Sequence, residues 1–294
     1  MTVEASKTTS WKHYLELTKP GVQALLFVSC ITGMLLAADF YPPLEVLIFG
    51  LLGISLLAAS SAVINHIFDV ELDALMKRTS SRPIVKGYIT KTKAINFSIG
   101  LFVLGSSFLL YFTNLLTWVL TALTFVFYGF IYTKYLKFMT SQNIVIGGLA
   151  GAMPPLLGWT AITNTIEPNA LLLVLIILVW TPPHFWALAV HKVEDYKEAK
   201  VPMLPVQKGI AFTKQHILLY TILLIVATVL PFSVGMFGYF YLSVAALSGF
   251  IFLYYSMALY RDKENKKAMP VFLYSIWYLA LLFSAMLIDS FLNL

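Results

Sequence analysis

Val46-Leu-Ile-Phe-Gly-Leu-Leu-Gly-Ile-Ser-Leu-Leu-Ala-Ala-Ser-Ser-Ala-Val-Ile-Asn65-His-Ile-Phe-Asp69-Val-Glu-Leu-Asp73 is an apolar run that ends on three polar residues spaced by four. A helix turns about 100° per residue, so Asn65, Asp69 and Asp73 fall within a stripe about 80° wide and about 12 Å long. Carboxylates are expensive where water is scarce, and on a membrane helix they mark a functional site by default. Two aspartates and an asparagine are hard oxygen donors of the kind Mg²⁺ takes while it shares substrate phosphates.

The rest of the chain agrees with a membrane reading. Of its 294 residues, 59% are hydrophobic and only 12% charged, against roughly 25% charged in a soluble domain. Apolar segments long enough to cross a bilayer recur at 22–39, 45–68, 95–112, 115–133, 143–162, 169–190, 216–235, 238–259 and 271–291. The expected fold class is all-α, a polytopic membrane protein of about nine transmembrane helices. Residues 1–294 read as a single integral-membrane domain, with 1–20 as a cytoplasmic N-terminal segment and no cleavable signal. The lone Cys30 lies in an apolar run, which excludes disulfides, iron–sulfur clusters, thiolate zinc sites and covalent haem attachment.

Charge tests the count. All 20 lysines and arginines fall in the N-terminal segment or after spans 2, 4, 6 and 8, one side of a nine-span chain. The opposite loops read as holding only Asp39, Glu45, Glu167 and Asp289. Basic loops stay cytoplasmic, so the N-terminus is expected inside and the C-terminus outside. The net charge of +6 then reflects orientation and anionic lipid, and calls for no nucleic acid.

The two long polar loops, 69–94 and 191–215, share a pattern. Asp73 precedes Lys86-Gly87 by thirteen residues, and Asp195 precedes Lys208-Gly209 by thirteen. We read this as a weak internal repeat offset by 122 residues, with spans 2 and 6 as equivalents and the site between halves.

Two clusters can do chemistry. The first joins Asn65, Asp69 and Asp73 to Lys77, Arg78, Arg82 and Lys86. Acids followed by cations suit a metal–diphosphate: carboxylates hold the metal, and Arg and Lys neutralise the remaining phosphate charge. The second comprises His184, His191, Asp195 and Glu198 with Lys192, Lys197 and Lys200. On one continuous helix His184, His191 and Asp195 would share a face. His184 lies in Trp180-Thr-Pro-Pro-His-Phe-Trp186, where two prolines are expected to break the helix towards a cavity. Gly147-Gly-Leu-Ala-Gly-Ala-Met-Pro-Pro155 reads as close helix packing with a kink in span 5. His13, His66 and His216 fit no ligand pattern.

Asn65-x₃-Asp69-x₃-Asp73, Lys77-Arg-Thr-Ser-Ser-Arg-Pro83, the glycine-rich stretch running to Gly158-Trp159, Pro183-His-Phe-Trp186 and Asp195-Tyr-Lys-Glu-Ala-Lys-Val-Pro-Met-Leu-Pro205 resemble the UbiA-type intramembrane prenyltransferases, and within them the branch that farnesylates protohaem IX. Two departures stand out: His66 follows the first Asn where many members have Asp, and His191-x₃-Asp195 carries one aspartate where many have two.

The resemblance implies nine helices around a central, lipid-accessible cavity capped on the cytoplasmic side of the cell membrane. It implies a Mg²⁺-dependent prenyltransferase moving a farnesyl group from farnesyl diphosphate to a vinyl group of haem B, with water addition, to give haem O and pyrophosphate. Haem B is then substrate rather than cofactor. Asn65, Asp69, Asp73 and Asp195 are the implied metal ligands, with Lys77, Arg78, Arg82 and Lys200 on the diphosphate. Either His184 or His191 would ligate iron or orient water. A downstream haem-modifying enzyme or oxidase-assembly factors are the implied partners besides the bilayer. A quinone-type or other aromatic acceptor, and a haem or lipid transporter, are the competing readings.

Overall fold

A computed structural model describes residues 8–292. Among them nine helices are long and apolar enough to cross a bilayer: Pro20–Ala37, Val46–Phe68, Lys91–Phe112, Leu115–Met139, Asn143–Thr163, Pro168–His191, Ile210–Ser233, Tyr239–Arg261 and Ala268–Leu292, here spans 1–9. They coincide with the nine apolar segments, and no strand occurs among the described residues. Residues 1–7 of the expected N-terminal segment lie outside the described residues. Ser10 starts a short helix, Trp11–Leu17, through a reciprocal capping box with His13.

Spans 2, 5 and 6 form the interior, 56%, 61% and 67% buried, whereas spans 3 and 4, at 22% and 17%, present most of their surface outward to lipid. One core joins spans 5–9 around Trp186, Tyr241 and Tyr278. A second joins spans 1, 2, 3 and 5 around Met34, Leu57 and Leu109. Spans 1 and 5 approach to backbone contact: a Cβ built on Gly33 would meet the Pro155 carbonyl oxygen at 2.1 Å, and one on Gly158 the Cys30 carbonyl oxygen at 2.2 Å. The glycine-rich stretch therefore serves packing, as small residues do between membrane helices. Cys30 is a free, buried side chain in this contact.

The weak repeat has a structural counterpart. Span 2 is followed by a six-residue helix, Val70–Leu75, and span 6 by another, Val193–Glu198. Gly87 and Gly209 both adopt positive φ, at 74° and 85°, shortly before the next span, a conformation glycine takes without steric cost.

Four expectations need correction. The helix carrying the acidic stripe ends at Phe68, with Asp69 as the joint. The i→i−4 bonds Asp69 N to Asn65 O (3.0 Å) and Asp73 N to Asp69 O (2.7 Å) persist across it, so the three residues keep their common side. Span 6 runs unbroken through Pro182 and Pro183, because neighbouring helices on several sides hold it. It stops at His191, so Asp195, on the next helix, is not carried on the face that His184 and His191 share; those two lie at different depths on it, His184 buried and His191 exposed. Asp289 lies within span 9, buried, where its carboxylate accepts from the backbone N–H groups of Gly238 (2.5 Å) and Tyr241 (3.0 Å) and caps span 8.

Candidate active site

The ends of spans 1, 2 and 4 and the loops after spans 2 and 6 enclose a polar cavity of about 160 Å³. Its walls carry Asn65, Asp69 and Asp73 beside Lys19, Arg78, Arg82 and Lys137, with Tyr128, Tyr132, Phe185 and Tyr196 as aromatic surfaces. A larger groove of about 490 Å³ between spans 2, 3 and 4 is lined by Ile64, Phe68, Ile99, Phe102, Phe125 and other apolar side chains, with Ser98 its sole polar residue. It suits hydrocarbon and offers nothing to an anion.

Within the polar cavity every acid meets a cation. Lys137 Nζ donates to Asp69 Oδ2 at 2.8 Å, and Arg82 pairs with Asp73. Lys19 Nζ donates to Asn65 Oδ1 at 2.5 Å and to the Tyr128 hydroxyl at 3.2 Å. Asn65 Nδ2 donates to Asp69 Oδ2 (2.9 Å) and Thr133 Oγ1 (3.1 Å). Asn65, Asp69 and Asp73 are each under 5% exposed, so these contacts form with little competition from water, and charge-assisted bonds are strong there. The three oxygen donors are hard ligands of the kind a divalent cation takes, and they already face positive charge that such a cation would displace.

Arg78 and Arg82 come to the cavity as expected, but Lys77, Lys200, His191 and Asp195 are not among its lining residues. Lys77, Lys200 and His191 are exposed. Span 6 and the short helix after it send Tyr196 to the cavity in place of Asp195. Burial raises the Tyr196 hydroxyl above the ordinary tyrosine range; the Arg78 guanidinium, hydrogen-bonded to it, opposes this, while the charge of Asp195 adds to it. The expected metal group therefore comes together in three of its four members. Among the described residues no group of three or more His, Cys, Asp or Glu side chains is placed to hold a metal ion.

Lys19 and Lys137, which the sequence presents as ordinary positive-inside residues, are cavity cations. Lys19 precedes Pro20 with φ 53°, an uncommon conformation outside glycine. Lys137 follows a π-helical stretch, Phe127–Leu136, within span 4. Closed by i→i+5 bonds, a π-helix takes between four and five residues per turn. Tyr128, Tyr132 and Lys137 are separated by four and five, and all three line the cavity. In α-register the nine residues from Tyr128 to Lys137 would rotate about 900°, which is half a turn away.

His184 belongs to a different environment. Its ring stacks on Trp180 (4.3 Å between centroids) and Phe272 (4.5 Å). Its Nδ1 lies 2.6 Å from Ser275 Oγ, which in turn lies 2.6 Å from the Phe272 carbonyl oxygen. A carbonyl can only accept, so the single serine proton goes to Phe272 O and the imidazole must donate from Nδ1. The neutral ring then keeps its lone pair on Nε2, the arrangement of a histidine able to accept a hydrogen bond or ligate a metal. His66 is buried, and neither ring nitrogen has a hydrogen-bond partner among the described residues.

Comparison with known proteins gives one family. The protohaem IX farnesyltransferase of Hahella chejuensis is 50% identical over 291 residues, covering 99% of this chain and 97% of that protein. Its counterpart of the same name in Saccharophagus degradans is 52% identical, covering 99% and 98%. A solved digeranylgeranylglyceryl phosphate synthase superposes with a TM-score of 0.80 at 23% identity, covering 95% of this chain and 98% of its own. A UbiA homolog from Archaeoglobus fulgidus bound to GPP and Mg²⁺ superposes with a TM-score of 0.65 at 15% identity, covering 93% and 99%. The profile of the UbiA prenyltransferase family matches residues 26–284, and with nine apolar helices closing over an acid–cation cavity, the chain belongs to that family of integral membrane proteins.

Proposed function

We propose that this chain transfers a farnesyl group from farnesyl diphosphate to a vinyl group of protohaem IX, with addition of water, giving haem O and pyrophosphate. The observation that carries the reading is the polar cavity in which buried Asp69 and Asp73 face Lys19, Arg82 and Lys137. Identity near 50% over almost the whole length of protohaem IX farnesyltransferases supports the choice of substrates.

Asn65 Oδ1, Asp69 and Asp73 would hold Mg²⁺, which when bound screens the diphosphate and helps it leave. Lys19, Arg78, Arg82 and Lys137 stabilise the negative charge that grows on the diphosphate as the allylic C–O bond breaks and the bonding electrons depart with it. We give Lys19 and Lys137 the roles that Lys77 and Lys200 hold in the sequence reading. Tyr128, Tyr132, Tyr196 and Phe185 offer π faces to the allylic cation and shield it from early capture by water. The vinyl carbon forms the new C–C bond; the cation left beside the porphyrin takes up water and releases a proton. Of the two candidate histidines we assign the haem side to His184, whose Nδ1 is engaged by Ser275, leaving Nε2 without a hydrogen-bond partner among the described residues. The basic loops support a site at the cytoplasmic face, with the N-terminus inside.

Mass spectrometry of haem extracted from cells expressing the chain tests the proposal. Haem carrying a hydroxyethylfarnesyl group is expected. Unmodified haem B from an abundant, folded protein that instead prenylates a quinone-type acceptor would overturn it.

A further inference from the structure

Asn65 is held by three contacts, and its amide can satisfy them in one orientation only. Oδ1 accepts from Lys19 Nζ (2.5 Å), while the two Nδ2 protons go to Asp69 Oδ2 (2.9 Å) and Thr133 Oγ1 (3.1 Å). A flipped amide would set donor against the ammonium and acceptor against the carboxylate. It would also fail at Thr133, whose own proton is committed to the Tyr128 carbonyl oxygen at 2.7 Å. Thr133 is 1% exposed, so its hydroxyl meets Asn65 away from bulk water.

The three partners differ in what happens when substrate arrives. Lys19 is a flexible cation with phosphate to attract it, and Asp69 is itself a donor to the incoming metal–diphosphate. Thr133 is neutral, fixed on the π-helical stretch of span 4, and answers to neither ligand. We propose that Thr133 is the positioning residue that keeps Asn65 Oδ1 turned into the site while the other two contacts rearrange. This rests on reading Asn65, Asp69 and Asp73 as the metal–diphosphate site. It also gives the π-helical stretch a purpose beyond placing Lys137, since such turns concentrate at functional sites.

The test compares Thr133→Val, which removes the hydroxyl at nearly constant shape, with Thr133→Ser, which restores it. Thr133→Ala serves if valine is not accommodated. Mn²⁺ binding is read by electron paramagnetic resonance on purified protein with an unreactive farnesyl thiodiphosphate, and turnover is titrated against Mg²⁺. Loss of the hydroxyl should weaken Mn²⁺ binding and raise half-saturating Mg²⁺ by about 10- to 100-fold. Turnover at saturating metal should stay near that of the parent, because Thr133 touches no reacting atom. Thr133→Ser should bind Mn²⁺ like the parent. Parental Mn²⁺ affinity in Thr133→Val, or a serine variant as weak as the valine one, overturns the proposal. Asp73→Asn separates the two levels: if it too leaves Mn²⁺ affinity unchanged, the metal site itself is misread.

Discussion

Lys137 donates to Asp69 across the cavity at 2.8 Å, joining span 4 to the joint that ends span 2. The two residues are 68 apart in sequence, and each lies where a helix departs from regular α geometry. Removing the lysine leaves a carboxylate that is 4% exposed without its cation, and removes one counter-charge from the departing diphosphate. Hydrogen bonds to charged groups contribute roughly 1.5–3 kcal/mol, so Lys137→Ala should lower kcat/KM for farnesyl diphosphate about 10- to 100-fold. Lys137→Arg should recover part of that loss. Steady-state kinetics on purified protein checks both, and an alanine variant with parental kinetics would remove Lys137 from the site.

Asp69→Asn and Asp73→Asn keep side-chain size and remove charge. Each should reduce turnover by more than about 100-fold, since each deletes an oxygen donor that a bound metal needs, while membrane insertion and gel-filtration behaviour stay normal. A monodisperse Asp73→Asn protein with full activity would end the metal–diphosphate account.

The acids are already paired with Lys137 and Arg82, and Lys19 sits on Asn65. A divalent cation arriving alone must displace those contacts with nothing to receive the freed cations. Metal and diphosphate should therefore bind cooperatively. Titration calorimetry is expected to show weak Mg²⁺ binding without the thiodiphosphate and tighter binding with it, and the same factor for the analogue with and without metal. Equal metal affinity in the two conditions would contradict the self-neutralised site. Full chelation of divalent metal should abolish turnover.

Ser275→Ala removes the acceptor that fixes the Nδ1–H form of His184. Loss of one hydrogen bond of about 1 kcal/mol predicts a several-fold rise in KM for haem with KM for farnesyl diphosphate unchanged. His184→Ala should act in the same direction and more strongly. A change confined to the farnesyl diphosphate parameters would place His184 at the wrong substrate.

Gly33→Ala would push a methyl group into the Pro155 carbonyl, 2.1 Å from the ideal Cβ position. Overpacking of this kind costs about 1–3 kcal/mol. Thermal unfolding in detergent should show a clear loss relative to Gly100→Ala, where a Cβ meets nothing within 4 Å. Equal melting of the two variants would show that spans 1 and 5 are not in backbone contact.

What the sequence alone determined is what local physics writes into it. Hydropathy set nine spans among the described residues, most ends to within a few residues and the end of span 4 and start of span 7 to within about six, because a bilayer demands about twenty apolar residues per crossing. The spacing of Asn65, Asp69 and Asp73 survived a helix break that hydropathy could not show. The tertiary structure alone chose the cations. Lys19, Lys137, Lys77 and Lys200 look alike as basic residues beside spans. The first two turn inward, one through a left-handed backbone before Pro20 and the other through a π-helical register. The last two remain exposed. His184 and His191 were likewise separated by burial, since a spacing of seven fixes a shared helix face but not how deep along it each residue sits. Period and composition are properties of a segment, whereas the partner of a charge depends on which other segments fold against it.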